Sequence, residues 1–217
     1  MKRHILSFFA VLFAATISAQ TLNVVTGNVT YAFPASKVGD MTCADGTTLT
    51  IGGKVFVIND INKMYVDNSE VTDNEVAVLY NGTTASLTVA GNVAPYVIPA
   101  VSGAHVCITQ SNTADVDGNE ITYTLSGASS DGEFYMSGKY KCSIELNGLS
   151  LTNKTPVYSG AALHVQNGKR INVSVKKGTE NALTDCSSPS EDLAQKAALY
   201  VKGHAEFKGK GTLNVKG

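Results

Sequence analysis

The chain has 217 residues, and its 17 basic and 18 acidic side chains leave a formal net charge of −1. This balance excludes a protein built to bind nucleic acids, because phosphate backbones require clustered cations. Beyond residue 19 a single arginine, Arg170, remains, so the chain has almost no donor for bidentate recognition of phosphate or carboxylate groups.

The first residues have the layout of a secretory signal. A basic segment at residues 2–4 precedes an apolar run over residues 5–16, and the small residue Ala19 stands just before the expected cut. A membrane-spanning helix needs about 20 apolar residues, and this run is shorter. We therefore predict a signal peptide over residues 1–19, no membrane span, and a mature chain that begins at Gln20 and is secreted, periplasmic or held at the cell surface.

Short alternating apolar runs dominate the mature chain, and helical periodicity is nearly absent. The runs are rich in Val, Ile, Thr and Tyr and are interrupted by Gly, Asn or Asp about every 8–12 residues, which is typical of an all-β chain. Two interruptions, Gly52 with Gly53 and Asn81 with Gly82, predict tight turns between paired strands. Residues 20–75 are accordingly predicted to form a small β lead-in region.

An internal repeat begins near residue 76 and is clearest where residues 161–165 (AALHV) are echoed by residues 197–201 (AALYV), 36 positions later. A third copy precedes them at residues 143–153 (SIELNGLSLTN). Repeated β runs with a turn after each are what a parallel β-helix requires. A β-sandwich also has strands at this spacing, but it does not need successive strands to resemble each other. We therefore predict a parallel β-helix over residues 76–217.

A polar insert interrupts the repeat and holds the densest acidic cluster, Asp185, Glu191 and Asp192. Ser188 followed by Pro189 predicts a short helical turn inside the insert. Hard cations prefer several carboxylate and carbonyl oxygens, so the acidic cluster is a candidate Ca²⁺ site. The alternative stays open that Asp185 closes a turn, Glu191 caps the helical turn and Asp192 is solvated.

Three residues are candidates for contact with sugar rings: Tyr158, His164 and Tyr200. Sugar sites commonly place an aromatic face against the apolar face of the ring, with polar groups around it, and this chain has no Trp. Tyr158 follows Pro156 in a turn, whereas His164 and Tyr200 occupy equivalent positions in successive repeats and are expected to share one outward ladder. The alternative is that these rings only cover the outer face of the sheet.

The four cysteines, Cys43, Cys107, Cys142 and Cys186, are widely spaced and include no CxxC, so no zinc pattern is present. One or two disulfides and plain buried thiols both fit the sequence. No GxSxG, HExxH or phosphate-loop motif occurs. Sequence motifs therefore do not predict an enzyme, although the active sites of β-helix enzymes are assembled from several coils and leave little local motif.

Five segments carry a resemblance to a known family: residues 121–127, 144–153, 178–185, 196–200 and 209–215. Together they are similar to the carbohydrate-binding domain family of secreted bacterial β-helix proteins, some of which resemble pectate lyases in fold. The run GTENxLTD, followed by an acidic loop and AAL, is the most distinctive part.

The resemblance implies a right-handed parallel β-helix of which only the first coils are present. No capping element follows residues 211–215, so we expect the natural protein to continue, the alternative being that this end pairs with another chain. It also implies a protein that binds polysaccharide, in particular acidic plant-type polymers, with Ca²⁺ near acidic corners. Since no catalytic motif is present, we expect this protein to be non-catalytic. A polysaccharide lyase of the same fold and a surface adhesin or structural solenoid are the alternatives. Residues 21–110 resemble lead-in segments on surface proteins of the Bacteroides group.

Overall fold

The computed structural model describes residues 20–185 and 197–217. The predicted signal peptide at residues 1–19 lies outside this part of the chain, as do Cys186 and the helical turn expected after Ser188. In the part that is described, no helix is long and apolar enough to cross a lipid bilayer.

The prediction of an all-β chain is confirmed. Apolar and polar side chains alternate along the runs, so a strand can bury one face and present the other to the surface. The strands are β1 (Thr21–Thr26), β2 (Val29–Pro34), β3 (Met41–Ala44), β4 (Thr48–Ile51), β5 (Lys54–Val57), β6 (Lys63–Asp67), β7 (Glu75–Asn81), β8 (Thr84–Ala90), β9 (Val97–Ser102), β10 (His105–Gln110), β11 (Ile121–Ser129), β12 (Glu133–Gly138), β13 (Cys142–Thr152), β14 (Leu163–Val175), β15 (Glu180–Thr184), β16 (Leu199–Gly209) and β17 (Thr212–Lys216). Short 3-10 turns lie at Ala35–Lys37, Ile58–Asp60 and Ala94–Tyr96.

Fourteen of the strands form one sheet. Its main path runs β6-β1-β2-β8-β7-β11-β13-β14-β12-β10-β9, and β15, β16 and β17 attach through β13, β14 and β15. Strands β3, β4 and β5 form a separate sheet, from which Phe56 packs against Tyr31 with ring centroids 5.1 Å apart. The lead-in strands β1, β2 and β6 therefore share a sheet with the repeat strands, and a domain boundary at residue 75 stays a prediction.

The sheet is mixed and is not the uniform parallel solenoid predicted for residues 76–217. Strands β7 and β8, and strands β9 and β10, form antiparallel hairpins. The short connections cause this, because a parallel neighbour requires a crossover of a dozen or more residues whereas a hairpin needs only a tight turn. Gly82 and Gly103 provide these turns at φ 65° and 61°. The tight turns predicted between β4 and β5 and between β7 and β8 are confirmed.

Strands from residue 121 onward pair in parallel with one another, and the 36-residue echo is confirmed in their register. Leu163 pairs with Leu199, and His164 pairs with Tyr200. Equivalent repeat positions therefore stack directly, which explains why their side chains resemble each other. Alternation along β14 sends Leu163 and Val165 into the core and His164 to the opposite face.

The inward faces of the strands form one continuous apolar core. Its largest buried side chains include two tyrosines whose hydroxyls are paired, as buried polar groups normally are. The Tyr80 hydroxyl donates to the backbone carbonyl oxygen of Glu133 at 3.0 Å, and the Tyr123 hydroxyl donates to Oε1 of Gln110 at 2.9 Å. These bonds tie separate strands together across the interior.

The three cysteines in the described part of the chain, Cys43, Cys107 and Cys142, form no disulfide. Cys142 is fully buried, and burial raises the pKa of its thiol to about 12. Burial, with the charge of Glu133 as a second cause, also raises the pKa of Cys107. Cys142 is therefore a protonated core thiol, which agrees with the buried-thiol prediction for this residue.

Candidate functional site

One column of side chains crosses the outer surface of strands β10, β12, β14 and β16. Cys107 pairs with Tyr135, Tyr135 with His164, and His164 with Tyr200. The column forms because the neighbours of these residues, such as Phe134 in β12, point into the core, and parallel strands stack equivalent positions. We call Tyr135, His164 and Tyr200 the aromatic column.

The rings of the aromatic column are closely packed. The centroids of Tyr135 and His164 are 4.7 Å apart with an interplanar angle of 65°, and those of His164 and Tyr200 are 4.7 Å apart at 75°. Edge-to-face contacts of this kind are favourable for aromatic rings. His164 is only 3% exposed, whereas the two tyrosines are partly exposed. The tyrosines are therefore the parts of the column that a ligand can reach directly.

The imidazole of His164 has no hydrogen-bond partner for either ring nitrogen within the described residues. Burial lowers its pKa to about 4, with the charge of Glu133 opposing the shift and that of Lys202 reinforcing it. The ring is therefore neutral at physiological pH, with one donor and one acceptor nitrogen. Unpaired buried polar atoms carry a desolvation cost.

Acidification should weaken the folded protein through His164. Unfolded histidine titrates near pH 6.5, and folded His164 titrates near pH 4. Between these values the unfolded state binds more protons, so stability present above about pH 6.5 is lost as the pH falls towards 4. We expect the free energy of unfolding to decrease by on the order of 2 kcal/mol over this window. His164→Gln should remove this part of the pH dependence in urea denaturation, and an unchanged dependence would contradict the explanation.

A buried carboxylate positions the backbone that carries Tyr158. Glu133 lies two residues before Tyr135 on the same face of β12 and is fully buried. Its Oε1 accepts backbone N–H bonds from Val157 and Tyr158, both at 2.7 Å, and its Oε2 accepts one from Ser159 at 3.0 Å. Three consecutive amides therefore converge on one side chain beside the aromatic column.

A second carboxylate, Asp131, holds the preceding part of the same segment. It accepts backbone N–H bonds from Lys154 at 3.1 Å and from Thr155 at 2.9 Å, and it also accepts the Thr155 hydroxyl. Asp131 and Glu133 thus fix the segment at both ends. We call residues 154–159 the anchored loop.

His105 links the two carboxylates. Its Nδ1 lies 3.1 Å from Oε1 of Glu133, and its Nε2 lies 3.8 Å from Oδ1 of Asp131. Burial alone would raise the pKa of Glu133, but His105 and the three amides of the anchored loop outweigh it and hold that pKa below its usual value. The Glu133 carboxylate is ionised, saturated with donors and inaccessible, so it serves as an anchor and not as a general acid or base.

The structure places the three residues predicted to contact sugar on one side of the sheet. His164 and Tyr200 are adjacent members of the aromatic column. Tyr158 is partly exposed on the anchored loop, and its pKa is raised by burial and by the charges of Cys107 and Glu133. The Tyr158 backbone N–H donates to Glu133, which stands on the same strand face as the column, so the residue lies beside it.

A column of polar side chains runs beside the aromatic column. Thr109 pairs with Ser137, Ser137 with Gln166, and Gln166 with Lys202. These residues stand two positions further along each strand and therefore share the outward face. They offer hydroxyl, amide and ammonium groups next to the rings, and we call them the polar column.

Of the predicted Ca²⁺ ligands, only Asp185 is in the described part of the chain, and Glu191 and Asp192 lie outside it. Asp185 follows β15, and its backbone N–H donates to the carbonyl oxygen of Lys216 at 2.9 Å. Residues 20–185 and 197–217 contain no group of three His, Cys, Asp or Glu side chains that could hold a metal ion. A Ca²⁺ site at the polar insert stays a prediction.

Arg170 lies outside the aromatic column. Its guanidinium contacts Oε2 of Glu120 at 2.7 Å, and Oε1 of Glu120 accepts bonds from Ser143 at 2.6 Å and from Asn172 at 2.9 Å. These groups link neighbouring strands on another part of the sheet surface. Arg170 is therefore engaged by Glu120 in a hydrogen-bond network that is separate from the aromatic column.

Tyr135, Glu133, His105 and Asp131 were not predicted from the sequence. A search for shorter repeat spacings could have found Tyr135, because 28 residues separate Cys107 from Tyr135 and 29 separate Tyr135 from His164. No comparable signal marks the other three residues. Asp131 and Glu133 bind backbone amides of the anchored loop, which almost any residue type can provide, and His105 contacts these two carboxylates.

Comparison with known proteins gives a family for this surface. A model described as "Carbohydrate-binding domain-containing protein" matches residues 102–217, more than half of the chain. The chain belongs to this family. The match includes the aromatic column, the polar column and the anchored loop, and membership in the carbohydrate-binding domain-containing family links that part of the molecule to carbohydrate binding.

Among solved structures, the chain is similar to one titled as the polysaccharide lyase-like protein from C. thermocellum, a gadolinium derivative. The identity is 20% and the TM-score is 0.48, over 64% of this chain and 51% of that one. This carbohydrate-binding family member therefore spans about half the length of that protein. No curated protein gives a significant match.

Proposed function

We propose that this protein binds polysaccharide without cleaving it, through the surface formed by the aromatic column, the polar column and the anchored loop. The observation that carries the proposal is the aromatic column itself: two accessible tyrosine rings around a neutral, unpaired histidine, on a strand face inside the family match. Aromatic faces bordered by a few polar groups suit the amphipathic surface of a sugar ring.

The polar column favours an acidic polymer. Lys202 is exposed and stands two residues after Tyr200 on the same strand face. An ammonium group at this position can pair with the carboxylate of a uronate residue whose ring contacts the tyrosine. Gln166 and Ser137 add neutral donors and acceptors along the same line.

Three further parts of the proposal concern the whole molecule. Export through a signal peptide at residues 1–19 would place the protein where plant-type polysaccharides are found. Ca²⁺ at Asp185, Glu191 and Asp192 would strengthen the binding of acidic polymers by bridging their carboxylates to the protein. The parallel ladders after residue 121 are consistent with the first coils of a right-handed β-helix, since parallel crossovers are almost always right-handed.

A panel of soluble polysaccharides tests the proposed function. In affinity electrophoresis with polygalacturonate, xylan, β-glucan and mannan in separate gels, we expect retardation by polygalacturonate and weaker retardation when a chelator is added. Absorbance of unsaturated products should stay flat during incubation with polygalacturonate. Mobility unchanged in every gel would contradict polysaccharide binding, and accumulation of unsaturated product would contradict a non-catalytic role.

A further inference from the structure

A cavity of about 370 Å³ that contains no residue of the aromatic column lies on the outer face of the strands that precede residue 91. Strands β6, β1, β2 and β8 provide its floor, because Tyr65 pairs with Asn23, Asn23 with Ala32, and Ala32 with Ala90. Two alanines in this row leave space where larger side chains would fill it. The volume falls within the range of about 300–1,000 Å³ found for small-molecule pockets.

The segment between β6 and β7 closes over this floor. Thr21 and Asp67 hold its start, since the Thr21 hydroxyl donates to the Ser69 carbonyl oxygen at 2.6 Å and the Asp67 carboxylate accepts the Ser69 backbone N–H at 3.0 Å. Asn74 holds its end, because its Nδ2 donates to the Val116 carbonyl oxygen at 2.8 Å. The cavity is therefore held open between two fixed layers.

The walls of the cavity are acidic and hydroxyl-rich. Asp67, Glu70 and Glu75 all line it, and its lining contains no lysine, arginine or histidine. Hydrogen bonds from Ser69 lower the pKa of Asp67, so this carboxylate is ionised. The Glu75 carboxylate accepts the Thr124 hydroxyl at 2.5 Å, which holds it in place.

The remaining lining combines one aromatic ring with small polar groups. Tyr65 stands at the β6 side, and Lys63 packs over its ring with the ammonium nitrogen 4.4 Å from the centroid. Thr30, Thr88 and Thr72 contribute hydroxyls around the alanine floor. A polyol the size of one sugar ring can form hydrogen bonds with these hydroxyls and pack against the tyrosine ring. An amine on the sugar would then lie near the carboxylates.

We propose that this cavity is a second binding site and that it takes a single amine-bearing sugar ring or a chain end of that chemistry. It lies outside residues 102–217, the part matched by the family, and its acidic lining is the opposite of what a uronate polymer requires. The protein would then contact two chemically different saccharides through two separate surfaces.

The test uses the mature chain and three monosaccharides, D-glucosamine, N-acetyl-D-glucosamine and D-galacturonate, at pH 6.5, followed by ¹H–¹⁵N NMR titration. We expect glucosamine to shift the amide resonances of residues that line the cavity and to leave the amide resonances around His164 and Tyr200 unchanged. The acetylated sugar should bind at least threefold more weakly because its charge is gone, and galacturonate should not shift the lining.

Two variants probe the cavity directly. Glu70→Gln removes an exposed carboxylate of the lining and should weaken glucosamine binding about threefold. Thr88→Tyr fills the cavity from an exposed position and should abolish binding. Glu180→Gln, at an exposed glutamate on β15, is the matched control and should bind normally.

Any one of three results would overturn this proposal. They are an affinity for the acetylated sugar equal to that for glucosamine, normal glucosamine binding by Thr88→Tyr, and lining resonances that do not shift with glucosamine. Because the amides around the aromatic column are observed in the same spectra, failure of the cavity proposal can be distinguished from failure of the polysaccharide surface.

Discussion

Glu133→Gln is expected to lower the free energy of unfolding by about 3–5 kcal/mol, the range for breaking a buried charge pair. The side chain is fully buried and accepts bonds from His105, three loop amides and Asn153. A glutamine would turn one acceptor oxygen into an NH₂ group that faces the donors of Ser159 or Val157. A buried donor would then meet donors, which is more costly than the loss of a single hydrogen bond.

Urea denaturation followed by far-ultraviolet circular dichroism measures this effect. Glu145→Gln is the matched control, because Glu145 is also a strand glutamate but pairs at 3.3 Å with Lys176 at the surface, where both side chains are partly exposed. The control should lose no more than about 1 kcal/mol. Similar losses in the two variants would show that Glu133 is not the anchor of the loop.

The loss at Glu133 should also depend on pH. The pKa of Glu133 is below its usual value in the folded protein, so the unfolded carboxylate takes up protons first as the pH falls. Its stabilising contribution is therefore present above the unfolded pKa of about 4.3 and disappears as the pH falls through the folded pKa. Wild type and Glu133→Gln should converge in stability at strongly acidic pH.

Gly127→Ala should destabilise the protein by about 2–5 kcal/mol, combining backbone strain with overpacking. Gly127 has φ +81° and lies where the register between β11 and β13 shifts. A Cβ at this position would be 2.1 Å from the carbonyl oxygen of Tyr80, a backbone atom in the adjacent strand β7. Strand β7 cannot move away freely, because the hydroxyl of the buried Tyr80 side chain donates a hydrogen bond to the backbone carbonyl oxygen of Glu133.

Gly148→Ala separates the two contributions. Gly148 has a similar φ of +75°, but an added Cβ there would meet no atom within 4 Å. This control should lose only about 1–2 kcal/mol, the cost of the left-handed conformation. Thermal and urea unfolding of both variants give the comparison, and equal losses would rule out the steric part of the explanation.

The sequence was sufficient to predict the stacking of the repeats. Residues 161–165 and 197–201 resemble each other because equivalent positions stack, and the register pairs residues 163–165 with residues 199–201 one by one. Turn glycines were equally informative, since positive φ at Gly53 and Gly82 leaves few alternatives to a hairpin. These features depend on local chemistry and so can be recognised locally.

The mixed sheet and the anchored loop could not be predicted in the same way. The β7–β8 hairpin follows from its short turn, but its parallel pairing with β2 on one side and with β11 on the other depends on where those strands lie, far away in the sequence. In the sequence, Glu133 is one residue of an ordinary alternating run and has no distinguishing feature. Its importance comes from three backbone amides 24 to 26 residues later, and amides have no sequence signature.

The most direct test of the central claim is the affinity of Tyr200→Ala and Tyr135→Ala for polygalacturonate, measured by isothermal titration calorimetry. Both rings are partly exposed members of the aromatic column. Tyr96→Ala is the matched control, since Tyr96 is 38% exposed and lies in the turn Ala94–Tyr96, outside the column. We predict about a tenfold or greater loss of affinity for each column variant and wild-type affinity for the control. Wild-type affinity in both column variants would contradict the account.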